Sequence, residues 1–581
     1  MKKIIVIGTM CAALFTFFNC SDEDFSSKYK DPSKVTSVTI EQVFTGVLEE
    51  SNEFLRLGYG RYFVHDPAFG IWAQTWGSRP DDDMYESNQM QVDGSYGRYL
   101  RVLTQYKLLK KEFDNSADQS VYKAYELCGR AVMLHVLFQT LDEFGKLPFE
   151  EVGLFPLTGE IVLPQLDDTK TLYQKVLTEL DEVNTELANG GSVAASTDWL
   201  NRGDMTQWRV YVNSLRLRCA IRLSGAEDYT NPDNTMVSDA KRIIADILGD
   251  PGKYPVVTGV DNQIYVENNF STSPNGWWTT LTNHDGNQNG KNWAMRCTAG
   301  EALLLRLDLN QDSLYTADAD DPRLPLIFDP VQGGTREGKY VGVNPRDDNS
   351  IVRPLIAGDG DGDNGIKQMS SHNERSFRDN RRMKGYVITP SEILFYKAEA
   401  ILRGIVSGDA ETAFKDAVLE SVKMYATVNA ESDATGESAL RSAVVAGEGT
   451  QWAADWTDAK ITAYAKAKWD AAVSTTDKLK LVYEQFWVHN TVFNTVETFN
   501  SLRRTGIPDN LYYGYRSGSN STKVLPNRLI IPASEHDRNP NIPNERSSVG
   551  FEQGKGNWEV IFWARDLTNS SQYKGTVKTS L

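Results

Sequence analysis

The chain has 581 residues, of which 61 are Lys or Arg and 78 are Asp or Glu, a formal net charge of −17. That acid excess argues against a nucleic-acid partner, which needs a basic footprint, and against attachment to anionic lipid through a basic patch. With 40% apolar and 24% charged residues, the composition is that of a globular protein and excludes a disordered or collagen-like chain.

Lys2 and Lys3 precede an apolar run of 15 residues, Ile4 to Phe18. The run is too short to span a bilayer and fits an export signal. It leads to Asn19-Cys20, followed by Ser21-Asp22-Glu23-Asp24. This start resembles a bacterial lipoprotein signal, in which cleavage leaves Cys20 as a lipidated N-terminus, although Phe17 and Asn19 replace the usual Leu and small residue. The acidic run resembles the surface-export tag of some Gram-negative outer-membrane lipoproteins. The expected organisation is a signal peptide at 1–19, a lipidated Cys20 with a polar tether over 20–37, and one globular unit over 38–581. The acyl chains would anchor it in the outer membrane, facing the cell exterior. Cys128, Cys219 and Cys297 show no zinc-ligand spacing and read as buried small hydrophobes.

The body reads as helix-rich. An N-terminal group is predicted near 38–57, 94–113 and 119–144. Leu172, Val176, Leu180, Val183 and Leu187 step by 4, 4, 3 and 4, one apolar stripe of a helix over 172–188. Asp204 with Gln207 gives a capping-box start to a helix running to Leu223. Thr389, Pro390 and Glu392 open another over 391–403, followed by helices at 410–428 and 458–472. A long helix over 478–504 is apolar on most sides, the mark of a buried helix. These helices fall into antiparallel-looking pairs near 38–144, 172–224, 391–428 and 458–504, which suggests a tetratricopeptide-like solenoid. Between them lie loop-rich insertions at 60–93, 255–385 and 505–580, long enough to carry function.

Most catalytic motifs fail on inspection. Gly360-Asp361-Gly362-Asp363-Asn364-Gly365 has dinucleotide-loop spacing but two Asp that would repel a pyrophosphate. Gly333 to Lys339 has P-loop spacing, yet Tyr340 stands where a magnesium-binding Ser or Thr belongs. Neither an H-E-x-x-H nor a G-x-S-x-G occurs. Asp359, Asp361 and Asp363 alternate as calcium ligands do, but Ser370 occupies the position of the bidentate Glu. They read as a solvated acidic turn or as a structural calcium site. No cofactor is otherwise required. The candidate ligand residues are aromatic and Asn/Asp side chains of the long loops: Trp72, Trp76, Asp82, Trp277, Trp278, Asn283, Asp285 and Trp293. An indole face can stack on a sugar ring while Asn and Asp pair with its hydroxyls. For the adjacent Trp277 and Trp278, core packing is the competing reading, and on an extended strand the two would point to opposite sides, so at most one would face a ligand.

Several segments together resemble the SusD/RagB family of outer-membrane nutrient-binding lipoproteins. Trp208 to Arg218 is similar to its W-x-x-F-A-N-S-L-x-L-R helix, and Asp321-Pro322-Arg323-Leu324 to its D-P-R-L turn. Lys397-Ala398-Glu399-Ala400 matches its A-E-A helix. Glu497 to Pro508, with Arg503-Arg504-Thr505-Gly506, resembles its E-x-W-x-D-x-R-R-T-G-x-P segment, with Phe499 and Ser501 in place of the more usual Trp and Asp. Arg528, Pro532, Glu535 and Asn539-Pro540-Asn541 resemble its C-terminal ending. The resemblance implies a mainly α, SusD-like fold: four tetratricopeptide-like helix pairs carrying a loop-rich variable half. It implies a non-catalytic glycan-binding lipoprotein beside a SusC-like TonB-dependent transporter, with Arg503 and Arg504 making buried ion pairs and caps. The charge puts neutral oligosaccharides ahead of polyanionic ones. The competing readings are a peptide- or protein-binding member of the same family and a helical-toroid glycoside hydrolase or lyase.

Overall fold

The computed structural model describes residues 38–55, 65, 68–77, 89–225, 234–267, 297–317, 319–344, 352, 355, 368–445, 452–509, 511, 526–545 and 559–565. The N-terminal half stacks six helices: α1 (Ile40–Leu55), α2 (Gln89–Asn115), α3 (Gln119–Phe144), α4 (Thr169–Ala188), α5 (Met205–Ser224) and α6 (Asn234–Gly249). Each packs on its sequence neighbour, and α1 also packs on α3. Helix α6 was not expected from the sequence. It closes the other side of α5, which is why nearly every residue of α5 is buried.

After a short helix α7 (Glu301–Leu307), the C-terminal half comprises α8 (Pro390–Leu402), α9 (Ala410–Ala430), α10 (Asp458–Ala471), α11 (Thr475–Phe493) and α12 (Thr495–Thr505). Helix α8 pairs with α9 and also packs on α11. Helix α10 lies chiefly against α9 and touches α11 only lightly, so the expected 458–472 with 478–504 pairing is not the principal one. Two short antiparallel strands, β1 (Ile264–Val266) and β2 (Gly385–Ile388), join the halves, with Ile264 opposite Ile388. No helix among the described residues is long and apolar enough to cross a membrane.

The local signals act as their chemistry dictates, with two instructive diversions. Asp168 caps α4 by accepting from the Thr171 amide at 2.8 Å, and Leu172, Val176, Leu180, Val183 and Leu187 are all buried. Asp204 caps α5 through the Thr206 and Gln207 amides, but the Gln207 side chain does not close a capping box; it donates to the Asn262 carbonyl at 2.9 Å. Likewise Thr389 accepts from the Glu392 amide, while the Glu392 carboxylate receives Arg218 at 2.6 and 2.9 Å. In both helices the third residue is taken by a tertiary contact.

The predicted helix 478–504 is two helices. Asn494 has φ −155° and ψ 85°, outside the helical region. It ends α11 with its amide on the Asn490 carbonyl and starts α12 by accepting from the Glu497 amide at 3.2 Å.

Residues of the motifs that carried the family resemblance, with neighbours such as Arg222 and Asp142, form a buried ionic frame. Arg222 of α5 binds both Asp142 of α3, at 2.9 Å, and Glu497 of α12, at 2.5 Å. Arg504 clasps Glu399 of α8 at 2.6 and 2.7 Å. Arg323 pairs with Asp321 at 2.7 Å with neither side chain exposed. Arg503 makes no ion pair of this kind: it donates to the Asp142 carbonyl at 2.7 Å, to the Asn527 carbonyl and to Asn500, and lies between the Phe499 and Trp563 rings. Arg528 holds Glu545 at 2.7 Å, which fastens the C-terminal segment to the end of α3, where the Leu529 amide meets the Glu143 carbonyl.

Candidate functional site

The buried helix α11 fixes the base of the variable half. Trp487 donates to the Ala73 carbonyl at 3.1 Å, and the Thr491 carbonyl accepts from the Trp76 indole at 2.9 Å. Trp76 also packs against His372, the rings tilted by 36° with centroids 4.1 Å apart. Burial pushes His372 down to about 3, so the ring is neutral and donates Nδ1–H to the Cys297 carbonyl at 2.8 Å.

Around this pair the backbone forms a knot of single bridges: Trp76 with Ala299, Thr298 with Ser371, Gly300 with Val343, and Phe328 with His372. The Gly77 amide reaches the Thr298 carbonyl at 2.8 Å, the Ala299 amide reaches Ser370 at 2.9 Å, and the Val343 amide reaches Ala299 at 2.8 Å. The strands cross so closely that a Cβ at Gly300 would collide with the Gln74 carbonyl, and one at Gly77 with Thr298. Glycine is therefore required at both crossings.

This knot is the root of the long loops. Gly77, Cys297, Asn344 and Gln368 border the segments that contain Asp82, then Trp277, Trp278, Asn283, Asp285 and Trp293, then Asp359, Asp361 and Asp363. Those residues lie outside the described residues, as does Cys20. Gly77 thus precedes the first of these segments, Cys297 follows the second, and Asn344 and Gln368 flank the third, so at least one bounding residue of each lies in or next to one hydrogen-bonded cluster. A small second core, Val331, Val341, Val343, Val352 and Met369, lies alongside.

Trp72 and Trp76 correct the sequence reading. They are 2% and 4% exposed. Trp72 packs edge-on against Phe69 at 5.5 Å and Phe499 at 5.4 Å. Neither indole offers a face to a ligand: both are core residues anchoring the 68–77 segment. The signal that sequence reasoning missed is the set of small and polar residues at the crossings, Gly77, Thr298 and Gly300.

A second concave feature runs between α2 and α4 over α3, a groove of about 1160 Å³. Its cations are matched internally. Lys107 donates to the carbonyls of Phe149, Glu150 and Val152 at 3.0, 2.6 and 2.8 Å. Lys110 pairs with Asp114, Lys175 with Glu179 and Arg130 with Glu126. Burial lowers the pKa of Lys107. With its charges already compensated, the groove is not a polyanion trap.

The residues with P-loop spacing, rejected as a P-loop on Tyr340, contain a short 3₁₀ turn at Gly334–Arg336. Among the described residues, no group of three His, Cys, Asp or Glu side chains is placed to hold a metal ion.

Stacked helix pairs beside a knot of backbone bridges define the architecture, and comparison supplies the family. A family model described as SusD-like, "Starch-binding associating with outer membrane", matches residues 32–532. The chain belongs to this SusD-like family. A comparison with curated protein sequences finds no match. Among solved structures, a chitin-binding protein aligns at 20% identity with a TM-score of 0.62, covering 90% of this chain and 98% of that one. A SusD homologue from Parabacteroides distasonis aligns at 16% identity and a TM-score of 0.66, covering 91% and 98%. Another from Bacteroides fragilis aligns at 19% identity and a TM-score of 0.60, covering 91% and 100%. At these identities the likeness establishes the fold: mainly α and SusD-like.

Proposed function

We propose that this chain is a cell-surface lipoprotein that captures a neutral oligosaccharide through its knot-rooted loops and delivers it, unaltered, to a TonB-dependent outer-membrane transporter. The observation that carries the reading is the convergence of loop ends at Gly77, Cys297, Asn344 and Gln368. A scaffold that pins several long loops at one root can present aromatic and polar side chains from distant sequence to one ligand. Family membership supports glycan as the ligand class, and the structural likeness to a chitin-binding protein places β-linked amino sugars beside starch fragments among the first to test. Lipidation at Cys20 and a SusC-like partner follow from the lipoprotein-like start and the family. Calcium at Asp359, Asp361 and Asp363 is not needed for this reading.

The test is calorimetric titration of the mature chain against starch-, chitin- and hemicellulose-type oligosaccharides, with chromatography of the recovered sugar. Binding without cleavage supports capture. Release of shorter products, abolished by substituting one carboxylate, would establish the hydrolase instead. The α2–α4 groove favours a second reading, peptide binding on the helical scaffold; heat with peptides and none with any glycan would select it.

A further inference from the structure

We propose that His372 is a positioning residue of the knot: one neutral imidazole pins together the stretches that border the long segments, and its protonation lets them part. The proposal deepens the capture reading, on which its consequence for a ligand rests. The ring meets each stretch in turn. Trp76, next to Gly77, has its ring centroid 4.1 Å away. The Cys297 carbonyl accepts both the His372 amide and the ring Nδ1–H, each at 2.8 Å. His372 itself follows closely on Gln368. Its backbone bridges to Phe328, whose ring centroid lies 4.9 Å from the imidazole, and Phe377 closes a further side at 6.2 Å. The residue is fully buried.

A ring so placed is stable only while neutral, because a second proton would set a charge among three aromatic rings and away from water. Burial holds its pKa down, with the Cys297 carbonyl opposing. The stretches packed against it bring few charges. The 68–77 stretch has no titratable side chain, and 297–300 has only the Cys297 thiol, with Glu301 following at the start of α7. Asp329 accepts from the Asn373 side chain at 3.0 Å, the Glu374 amide at 2.9 Å and the Ser442 hydroxyl at 2.8 Å. Glu374 pairs with Arg378 and Arg441 at 2.7 and 3.3 Å, and Arg375 donates to the Asn429 carbonyl at 2.9 Å. Among the described residues, no charged side chain contributes to the shift of His372.

Opening the knot returns the imidazole to its ordinary value of 6.5, so protons taken up below that pH favour the open form. The stabilising contribution is full above 6.5 and is lost as pH falls toward 3. Asp329, beside the Phe328 bridge, has the opposite sign. Burial first, then the charge of Glu374, raises it from 3.8 to about 7, so it steadies the closed form as pH falls through that window. Substituting one residue at a time separates the two.

The experiment is hydrogen exchange, read by mass spectrometry, in the peptides that carry the Gly77, Ala299 and Val343 amides, which donate to the Thr298, Ser370 and Ala299 carbonyls. Rates are corrected for intrinsic pH dependence, under conditions where reclosing outpaces exchange, and no ligand is present. His372→Phe keeps an aromatic ring and removes the titration. His372→Gln, which retains an N–H for the Cys297 carbonyl, replaces it if that variant does not fold. The ratio of wild-type to variant opening should rise about tenfold over the pH unit below 6.5, while the ratio of wild-type to Asp329→Asn opening falls. A ratio to the His372 variant that does not change with pH overturns the proposal, as does a wild-type His372 ring that titrates near 6.5 in the folded chain by NMR. A separate arm reads the ligand. A starch- or chitin-type oligosaccharide that binds wild-type protein, held at about ten times its Kd, should slow opening in the same peptides about tenfold. Unchanged exchange with that sugar bound would count against capture at the knot-rooted loops and leave the pH result standing.

Discussion

At the residue scale, the buried charges decide which substitutions the fold can bear. Glu399 receives both Arg504 and Arg403. Burial pushes its carboxyl up, but Arg504 and Arg403 more than offset that and hold it below the usual carboxylate range. Its stabilising contribution is therefore present above the ordinary carboxylate pKa and is lost as pH falls through the lowered folded value. Glu399→Ala leaves two guanidinium groups without their carboxylate and should cost ~3–5 kcal/mol in urea unfolding; a loss below ~1 kcal/mol would mean the pair is not buried as described. Asp142 has the opposite sign. Burial first, then the charge of Glu497, raises it to about 6 from 3.8, against the pull of Arg222. The folded state holds a proton there that the unfolded chain has released, so this group lowers stability as pH rises from roughly 4 to 6. Asp142→Asn should flatten the Tm–pH curve in that window, and an unchanged slope would contradict the assignment. Trp72 shows what composition alone cannot supply. An aromatic next to a long loop has the same composition signal whether it stacks on sugar or fills the core, and only the rings of Phe69 and Phe499 around it decide.

At the element scale, helix existence was legible and helix partnership was less so. The 172–188 stripe, the Asp204 cap and the Thr389-Pro390 start all correspond to real helix faces and termini, because spacing and caps are local properties. The capping boxes failed because Gln207 and Glu392 are claimed by distant partners, Asn262 and Arg218. The break at Asn494 was hidden because its flanks, Val492, Phe493 and Val496, are all buried and continue the apolar pattern across the joint. Asn494→Ala removes the side-chain cap of α12 and should destabilise by about 1 kcal/mol in urea melts; a neutral or stabilising result would show that the two helices tolerate fusion.

At the scale of the whole molecule, two stacked sets of helices form a frame whose ionic clasps coincide with the motifs that first suggested the family. Those motifs are structural: Arg218, Arg323, Arg504 and Arg528 pair with carboxylates inside the protein. They identify the scaffold. The proposed attachment involves a separate part of the chain, Cys20. Cys20→Ala should leave a soluble, folded protein that no longer sediments with membranes, and continued sedimentation would place the anchor elsewhere. The central claim is that glycan binds through the loops rooted at the knot rather than through the aromatic core beneath them. The most direct test is calorimetric titration of a neutral oligosaccharide that binds wild-type protein into a Trp277→Ala/Trp278→Ala variant. The account predicts an affinity loss of ~10-fold or more, the size of a lost sugar–aromatic contact of about 1–3 kcal/mol, at unchanged Tm. Wild-type affinity in that variant would contradict it.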